Sequence, residues 1–142
     1  MRLVVLRNEL EKYLTTKYKL EPLFEEDKDF MVAKCNIKFR DFDDGVYLRI
    51  TAYEEGSATI TFIFDKIDLT LETMLRINAF NENIHWLKAY VNENSFLAFK
   101  HPIIDAVIES NVVEALDYLI KILTNEETKK HLAPLTELTY AE

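Results

Sequence analysis

An alternation of apolar and polar residues dominates residues 30–64 and constrains the fold more than any other feature of the chain. A period of two places successive side chains on opposite faces of a β-strand. Two polar segments, Asp43-Asp44-Gly45 and Glu54-Glu55-Gly56-Ser57, interrupt the alternation, and Gly45 can adopt the positive φ that hairpin turns require. The sequence therefore predicts an antiparallel meander of three strands: Phe30–Phe39, Val46–Tyr53 and Ala58–Phe64.

One face of this meander is apolar and is predicted to lie against the core. Its side chains recur at every second position of each strand, as burial on one side requires. They are Met31, Ala33, Cys35, Ile37, Phe39, Val46, Leu48, Ile50, Ala52, Ile60, Phe62 and Phe64.

Helical periodicity precedes and follows the meander. Apolar residues at spacings of three and four predict helices over about Leu3–Tyr18, Thr70–Asn83 and Asn111–Leu123. Thr70 or Asp68 is the expected N-cap of the second helix. The start of the third is open, because the apolar residues between His101 and Ser110 could begin it earlier.

Two short strands, Trp86–Val91 and Phe96–Lys100, are predicted between the last two helices, joined by the polar turn Asn92–Ser95. The predicted fold is α+β in the order α-β-β-β-α-β-β-α, with a five-stranded antiparallel sheet and the helices on one face. It forms a single domain over residues 1–124. Residues 125–142 are predicted to be a polar tail with at most a helical turn at Glu126–Lys130.

Composition excludes several functional classes. The 142 residues suit one domain, and the net charge of −8 argues against wrapping duplex DNA. The 2 glycines are too few for a phosphate-binding loop, and the single cysteine excludes an intramolecular disulfide. No apolar run is long enough for a signal peptide or a membrane span. A cytoplasmic protein that is not embedded in a membrane is expected.

No catalytic, cofactor or metal site is predicted, and the chain is expected not to be an enzyme. The acids Asp41, Asp43 and Asp44 fail as a calcium loop, because Gly45 stands where the third ligand is needed. The three histidines, His85, His101 and His131, lack the spacing of a ligand pair on a helix. Cys35 is expected to be a buried, inert thiol.

Asn81 is predicted to be structural. It shares a helical stripe with Met74, Ile77 and Ile84, so its amide is expected to be partly buried. A buried amide needs hydrogen-bond partners, and the nearest are backbone groups in the turn into Trp86.

The segment Ile77-Asn78-Ala79-Phe80-Asn81, followed by Trp86-Leu87-Lys88-Ala89-Tyr90-Val91, resembles the bacterial YbjN family. Members of that family carry an Asn-x-aromatic-Asn helix end, followed by a strand and a hairpin. The resemblance implies a fold like that of class I type III secretion chaperones, which are small, acidic and usually dimeric. It covers residues 77–100 at residue level and residues 1–124 in element order. It supplies no catalytic residues, and the chain lacks the second long apolar segment of a secretion-chaperone groove.

Cations and aromatic residues gather on the outward face of the predicted sheet. In one interpretation, lysine stems cover the aromatic rings and both stabilise strand pairs. In the other, the face binds an anionic or extended partner, a peptide or another copy of the chain. The residues are Lys34, Lys38, Tyr47, Arg49, Tyr53, Trp86, Lys88, Tyr90, Phe96 and Lys100.

The function predicted from these observations is a non-enzymatic protein-binding module, a chaperone-like adaptor or a regulator. The alternative is a nucleic-acid-binding regulator that uses the same basic and aromatic face, since single strands bind to aromatic platforms flanked by cations. A homodimer is also expected. Phe96–Lys100 is predicted to lie at or near a sheet edge. The dimer would use the last two strands, Trp86–Val91 and Phe96–Lys100, with the apolar stretch Ile103–Ile108 as a further candidate, burying at least about 1,000 Å².

Overall fold

The structure is a computed structural model and describes residues 1–39, 42–104 and 109–141. Within these residues the chain forms four α-helices and one antiparallel sheet of six strands, in the order β1-β2-β3-β4-β6-β5. None of these helices is both long and apolar enough to cross a membrane. The elements are α1 (Leu3–Tyr18), β1 (Leu23–Glu26), β2 (Phe30–Phe39), β3 (Phe42–Tyr53), β4 (Ala58–Lys66), α2 (Leu71–Asn83), β5 (Lys88–Val91), β6 (Phe96–Ile103), α3 (Glu109–Leu123) and α4 (Glu126–Thr136).

The core lies between the apolar face of the sheet and the helices. All the residues predicted to face inward in the meander are buried, except Cys35 and Phe64, which are half-buried against the core. The α1 side chains Leu6, Leu10 and Leu14 enter the same cluster. The fold is therefore α+β, with helical residues covering the inward face of the meander.

The prediction of five strands is wrong, because β1 pairs antiparallel with β2 at one end of the sheet. Its sequence, Leu23–Glu26, is half acidic and lacks the alternation that marks the other strands. An edge strand tolerates charge, since one side of it has no neighbouring strand. Phe24 packs against the core and lies under Arg7, whose guanidinium carbon is 4.9 Å from the ring centroid.

The expectation of a polar tail is also wrong, because Glu126–Thr136 forms α4. The Asn125 side chain caps this helix by accepting a hydrogen bond of 2.8 Å from the Glu127 N–H. Leu132 and Leu135 are buried in the common core. Beyond the helix, the Tyr140 N–H donates to the Lys66 carbonyl, so the chain is held against β4 as far as residue 140.

Two predicted boundaries shift. Asp43-Asp44-Gly45 belongs to β3 rather than to the turn, and Gly45, at φ 78°, lies opposite a register shift in β2. Asp41 lies outside the described residues. The helix α3 begins at Glu109 rather than Asn111. Residues 105–108, which fall in the stretch where its start was left open, also lie outside the described part of the chain.

The helix α1 depends on α3 for its N-terminal cap. Arg2, the N-cap residue, provides no side-chain hydrogen bond to the helix. Instead its own N–H donates to the buried Glu109 carboxylate at 2.7 Å. Near the other end of α1, the Tyr13 hydroxyl donates to Asp117 at 2.8 Å. Hydrogen bonds over more than 100 residues of sequence therefore join the first helix to the third.

Asn81 occupies the free edge of the sheet. Its amide nitrogen donates to the Ala89 carbonyl at 3.1 Å, and its amide oxygen accepts from the Ala89 N–H at 2.8 Å. Ala89 lies on β5, the last strand at this end of the sheet. The Asn81 side chain therefore forms the two hydrogen bonds with the edge of β5 that a neighbouring strand would otherwise form.

Phe96–Lys100 lies next to a sheet edge rather than at it. The strand β6 lies between β4 and β5 and pairs with both. After β5 the chain returns to the interior of the sheet as β6, so β5 forms the edge. Ile103 ends β6, and the rest of the stretch Ile103–Ile108 beyond Ile104 lies outside the described residues.

We expect Asn81→Ala to lower the free energy of unfolding by about 1–3 kcal/mol, because it leaves both Ala89 backbone groups without their partner. Urea denaturation followed by circular dichroism measures the change. Asn78→Ala is the matched control, since Asn78 is an exposed asparagine of the same helix. Equal stability of Asn81→Ala and the wild type would contradict the assignment.

Candidate functional site

A row of four cations crosses the sheet face opposite the core. The strand register places Lys34 opposite Arg49, Arg49 opposite Thr61, Thr61 opposite Lys100, and Lys100 opposite Lys88. Residues paired across strands point to the same face, so these five side chains form one line perpendicular to the strands. We call Lys34, Arg49, Lys100 and Lys88 the cation row.

Two pairs in the cation row place like charges directly opposite each other. Lys34 faces Arg49, and Lys100 faces Lys88. Such pairs are destabilising by about 0.2–1 kcal/mol. Glu25 on β1 relieves the first pair, because its carboxylate lies 2.7 Å from Lys34 Nζ, and this hydrogen bond lowers the Glu25 pKa. In the described part of the chain, no acid forms an ion pair with Arg49, Lys100 or Lys88.

A second row, beside the cation row, carries two tyrosines. The register aligns Asn36, Tyr47, Ile63, Ala98 and Tyr90 across the sheet. Both rings are partly buried, and Ala98 between Ile63 and Tyr90 is fully buried although it points away from the core. Larger neighbours therefore cover part of this face.

Tyr90 connects the two rows. Lys100 Nζ lies 4.8 Å from the centre of its ring, and Thr61 on β4 is close enough to its hydroxyl to lower its pKa. Partial burial raises the pKa of Tyr90, opposed by the Thr61 side chain and the positive charge of Arg49. The tyrosine hydroxyl is therefore neutral and lies among the cations.

Three further predicted residues lie toward the margins of this face. Lys38 and Tyr53 are exposed near opposite ends of the meander, and Tyr53 pairs with Phe30 at a ring-centroid separation of 6.4 Å. Phe96 lies beyond a register shift in β4, with Lys66 Nζ 5.1 Å from its ring centre. The face is therefore most compact around the cation row.

Trp86 is not part of the face. It precedes β5, and its ring packs edge-to-face against Tyr118 of α3 at 5.7 Å. The Trp86 carbonyl also contacts His101 Nδ1 at 2.8 Å. Because the strand begins at Lys88, the alternation assumed for Trp86 does not apply.

Five members of the site are not among the residues predicted for it. Asn36, Thr61, Ile63 and Ala98 lie in the two rows, and Glu25 is the counter-ion of Lys34. Thr61 and Ile63 carry neither a charge nor an aromatic ring, so their composition does not mark them as members of a binding face. Only the pairing of β1 with β2 shows that Glu25 lies beside Lys34.

Other reactive side chains do not form a cluster with recognisable chemistry. Burial raises the pKa of the Cys35 thiol to about 11, so it is protonated near neutral pH. Within residues 1–39, 42–104 and 109–141, no group of three or more His, Cys, Asp or Glu side chains could hold a metal ion. His131 lies 3.7 Å from the Glu127 carboxylate on the same helix.

A groove of about 650 Å³ runs between α1 and α3. Its lining includes both signs of charge, Lys12 and Lys17 with Glu9 and Glu114, so it favours neither anions nor cations. Hydrogen bonds from Lys121, Lys17 and Tyr13 lower the pKa of the nearby Asp117. The carboxylate is thus fully engaged in joining the two helices.

We expect Asp117→Asn to destabilise the protein by about 1 kcal/mol at pH 7, because it removes the charge that three donors share. The folded-state pKa is lowered, so this stabilisation exists above the unfolded pKa of about 4 and is lost as the pH falls below it. Urea unfolding at several pH values measures the difference in the free energy of unfolding between wild type and variant. This difference should become smaller at acidic pH. Glu114→Gln, an exposed acid of the same helix, should show no such difference. A difference that is independent of pH would contradict this account.

Comparison with known proteins gives no relative for this chain: no protein-family model, no curated protein and no solved structure matches it. The resemblance of residues 77–100 to the YbjN family stays a prediction from the sequence.

Proposed function

We propose that this protein is a non-enzymatic binding module, a chaperone-like adaptor or a regulator, that docks a protein partner on the open face of its sheet. The observation that supports this most directly is the cation row. The whole chain carries a net charge of −8, yet the strand register places the four cations Lys34, Arg49, Lys100 and Lys88 on one line of the outward face. An anionic surface on a partner would meet a local charge opposite to that of the rest of the molecule.

The unpaired cations favour binding over a purely structural role. Packing on an aromatic ring accounts for Lys100, which lies over Tyr90. It does not account for Arg49 and Lys88, which are exposed and form no ion pair in the described part of the chain. A partner carboxylate between opposed cations would offset their mutual repulsion.

Nucleic acid is the weaker candidate for the same face. Single strands bind by stacking bases on exposed aromatic rings. One face of Tyr90 is covered by Lys100, and Tyr47 is partly buried in its row. A long polyanion would also extend from the cation row onto the acidic remainder of the surface.

Two expectations from the sequence complete the proposal. The raised pKa of Cys35 supports the absence of a thiol nucleophile, and with it a non-enzymatic role. A lone reduced cysteine is consistent with a cytoplasmic setting. The YbjN resemblance supports an adaptor or chaperone-like role.

Charge reversal tests the proposed face. We expect Arg49→Glu/Lys100→Glu to lose the proteins that the wild type recovers from native lysate, because both substitutions place acids in the cation row. Mass spectrometry of the recovered material measures the loss. Lys12→Glu/Lys130→Glu, on α1 and α4, makes the same charge change away from the face and should recover the same proteins as the wild type.

Recovery of the same proteins by the face variant and the wild type would refute the proposed docking face. Nuclease-sensitive material that the face variant alone loses would support the nucleic-acid alternative instead.

The homodimer predicted from the sequence is part of the proposal, but with another interface. Pairing through β6 is impossible because β4 and β5 flank it. Exposed apolar side chains gather instead on α2 and just before it. A two-fold axis would place this stripe against its own copy. The residues are Leu69, Leu71, Met74 and Leu75, each between 50% and 72% exposed.

Light scattering at micromolar concentration should give a mass near twice 16.7 kDa. We expect Leu71→Lys/Leu75→Lys to return the mass of one chain, because it places charge in the apolar stripe. Val4→Lys, at an equally exposed apolar position of α1, should leave the mass unchanged. A one-chain mass for the wild type at every concentration would show that no dimer forms.

A further inference from the structure

We propose that the occupant of the cation row is a short, extended acidic peptide segment that crosses strands β3 to β5, with carboxylates four residues apart. This inference rests on the proposed docking face and specifies the chemistry of the partner. Its three anchors, Arg49, Lys100 and Lys88, form no ion pair among the described residues.

The direction of the segment follows from where the charges lie. The strands β3, β6 and β5 each contribute one cation to the row, β4 contributes Thr61, and the neighbours of Arg49 and Lys100 along their strands on the same face are uncharged. Thr51 and Tyr47 flank Arg49, Pro102 and Ala98 flank Lys100. A peptide parallel to the strands would meet a single cation, whereas a peptide across them meets three.

The spacing of the strands sets the spacing of the acids. From β3 to β5 there are three strand intervals, because β4 and β6 lie between them. At about 4.8 Å per interval, Arg49 and Lys88 are about 14 Å apart across the sheet. An extended chain covers the same distance in about four residues at roughly 3.4 Å each. Carboxylates at positions i and i+4 would therefore reach Arg49 at one end and Lys100 with Lys88 at the other.

Uncharged polar groups beside the cation row favour an extended backbone over a helix. Asn36 is exposed and Tyr47 half-exposed, and neither side chain has a hydrogen-bond partner within the described residues. An extended peptide leaves backbone N–H and C=O groups free to bond with them, whereas a helix satisfies its own.

An acidic residue at one end of the row limits how far the occupant extends. Glu25 lies beyond Lys34 on β1. This carboxylate acts within a screening length of about 8 Å at physiological salt. A segment that spans β3 to β5 stays clear of it, whereas a longer polyanion that extended past Lys34 would be repelled there.

Fluorescence anisotropy with labelled, end-blocked pentapeptides tests the inference. The probe is Glu-Thr-Ser-Thr-Glu, and the matched controls are Glu-Glu-Thr-Ser-Thr, with adjacent acids, and the uncharged Gln-Thr-Ser-Thr-Gln. We expect the probe to bind about fivefold more tightly than the adjacent-acid peptide, because only its carboxylates reach both ends of the row. Raising the salt from about 50 to about 300 mM NaCl should weaken binding severalfold.

Substitutions in the cation row, with a control pair elsewhere on the surface, test where the peptide binds. Arg49→Gln/Lys100→Gln should weaken binding of the probe about tenfold, whereas Lys12→Gln/Lys130→Gln should change it less than about twofold. The single variant Lys88→Gln, at an exposed edge position, gives an independent measurement. Circular dichroism checks that each variant is folded, which we expect because neutralisation removes a like-charge repulsion.

Equal binding of the two acidic peptides, or wild-type affinity in the Arg49→Gln/Lys100→Gln variant, would overturn the inference. Tighter binding of a five-nucleotide oligothymidylate than of the probe would overturn it in favour of nucleic acid. If no peptide binds while the charge-reversed face still loses its partners from lysate, only the acidic segment is refuted. If that face keeps its partners, the proposed function fails as well.

Discussion

Burial of one face of the β2–β3–β4 meander is the constraint on which the rest of the structure depends. A slip of one residue in any of these pairings would turn core side chains such as Leu48 and Phe62 toward solvent. The register is therefore fixed by the core, and the positions on the opposite face are fixed with it. Arg49 stands opposite Lys34 because Leu48 stands opposite Cys35. The candidate site is a consequence of how the core packs on the other side of the same backbone.

The same constraint explains why the two ends of the sheet differ. At one end, β1 is short and half acidic, and it also supplies the counter-ion for Lys34. At the other end, β5 is equally short but carries no acid, and α2 covers its edge through the Asn81 amide. Charge protects one edge from pairing with another chain, and a helix side chain protects the other.

The sequence predicts those parts of the fold in which local pattern and burial agree. The alternation in β2 to β4 and the leucine stripe of α1 are of this kind, since every second or every third and fourth residue enters the core. The strand β1 and the helix α4 escape detection, because a charged edge strand and a helix with few apolar residues lack a strong period. The candidate site is predictable only as a composition. Its arrangement depends on the position of β6 between β4 and β5, which no local sequence pattern encodes.

The long-range attachment of α1 has a consequence for the order in which the molecule is made. Leu6, Leu10 and Leu14 reach their final environment only after α3 exists, because Glu109 caps the helix and Asp117 holds Tyr13. A ribosome that adds about 5–20 residues per second leaves this leucine stripe waiting for several seconds after it emerges. The helix α1 is thus synthesised before α3, the helix that completes its packing. During that interval the nascent chain presents an apolar helix to which a chaperone can bind.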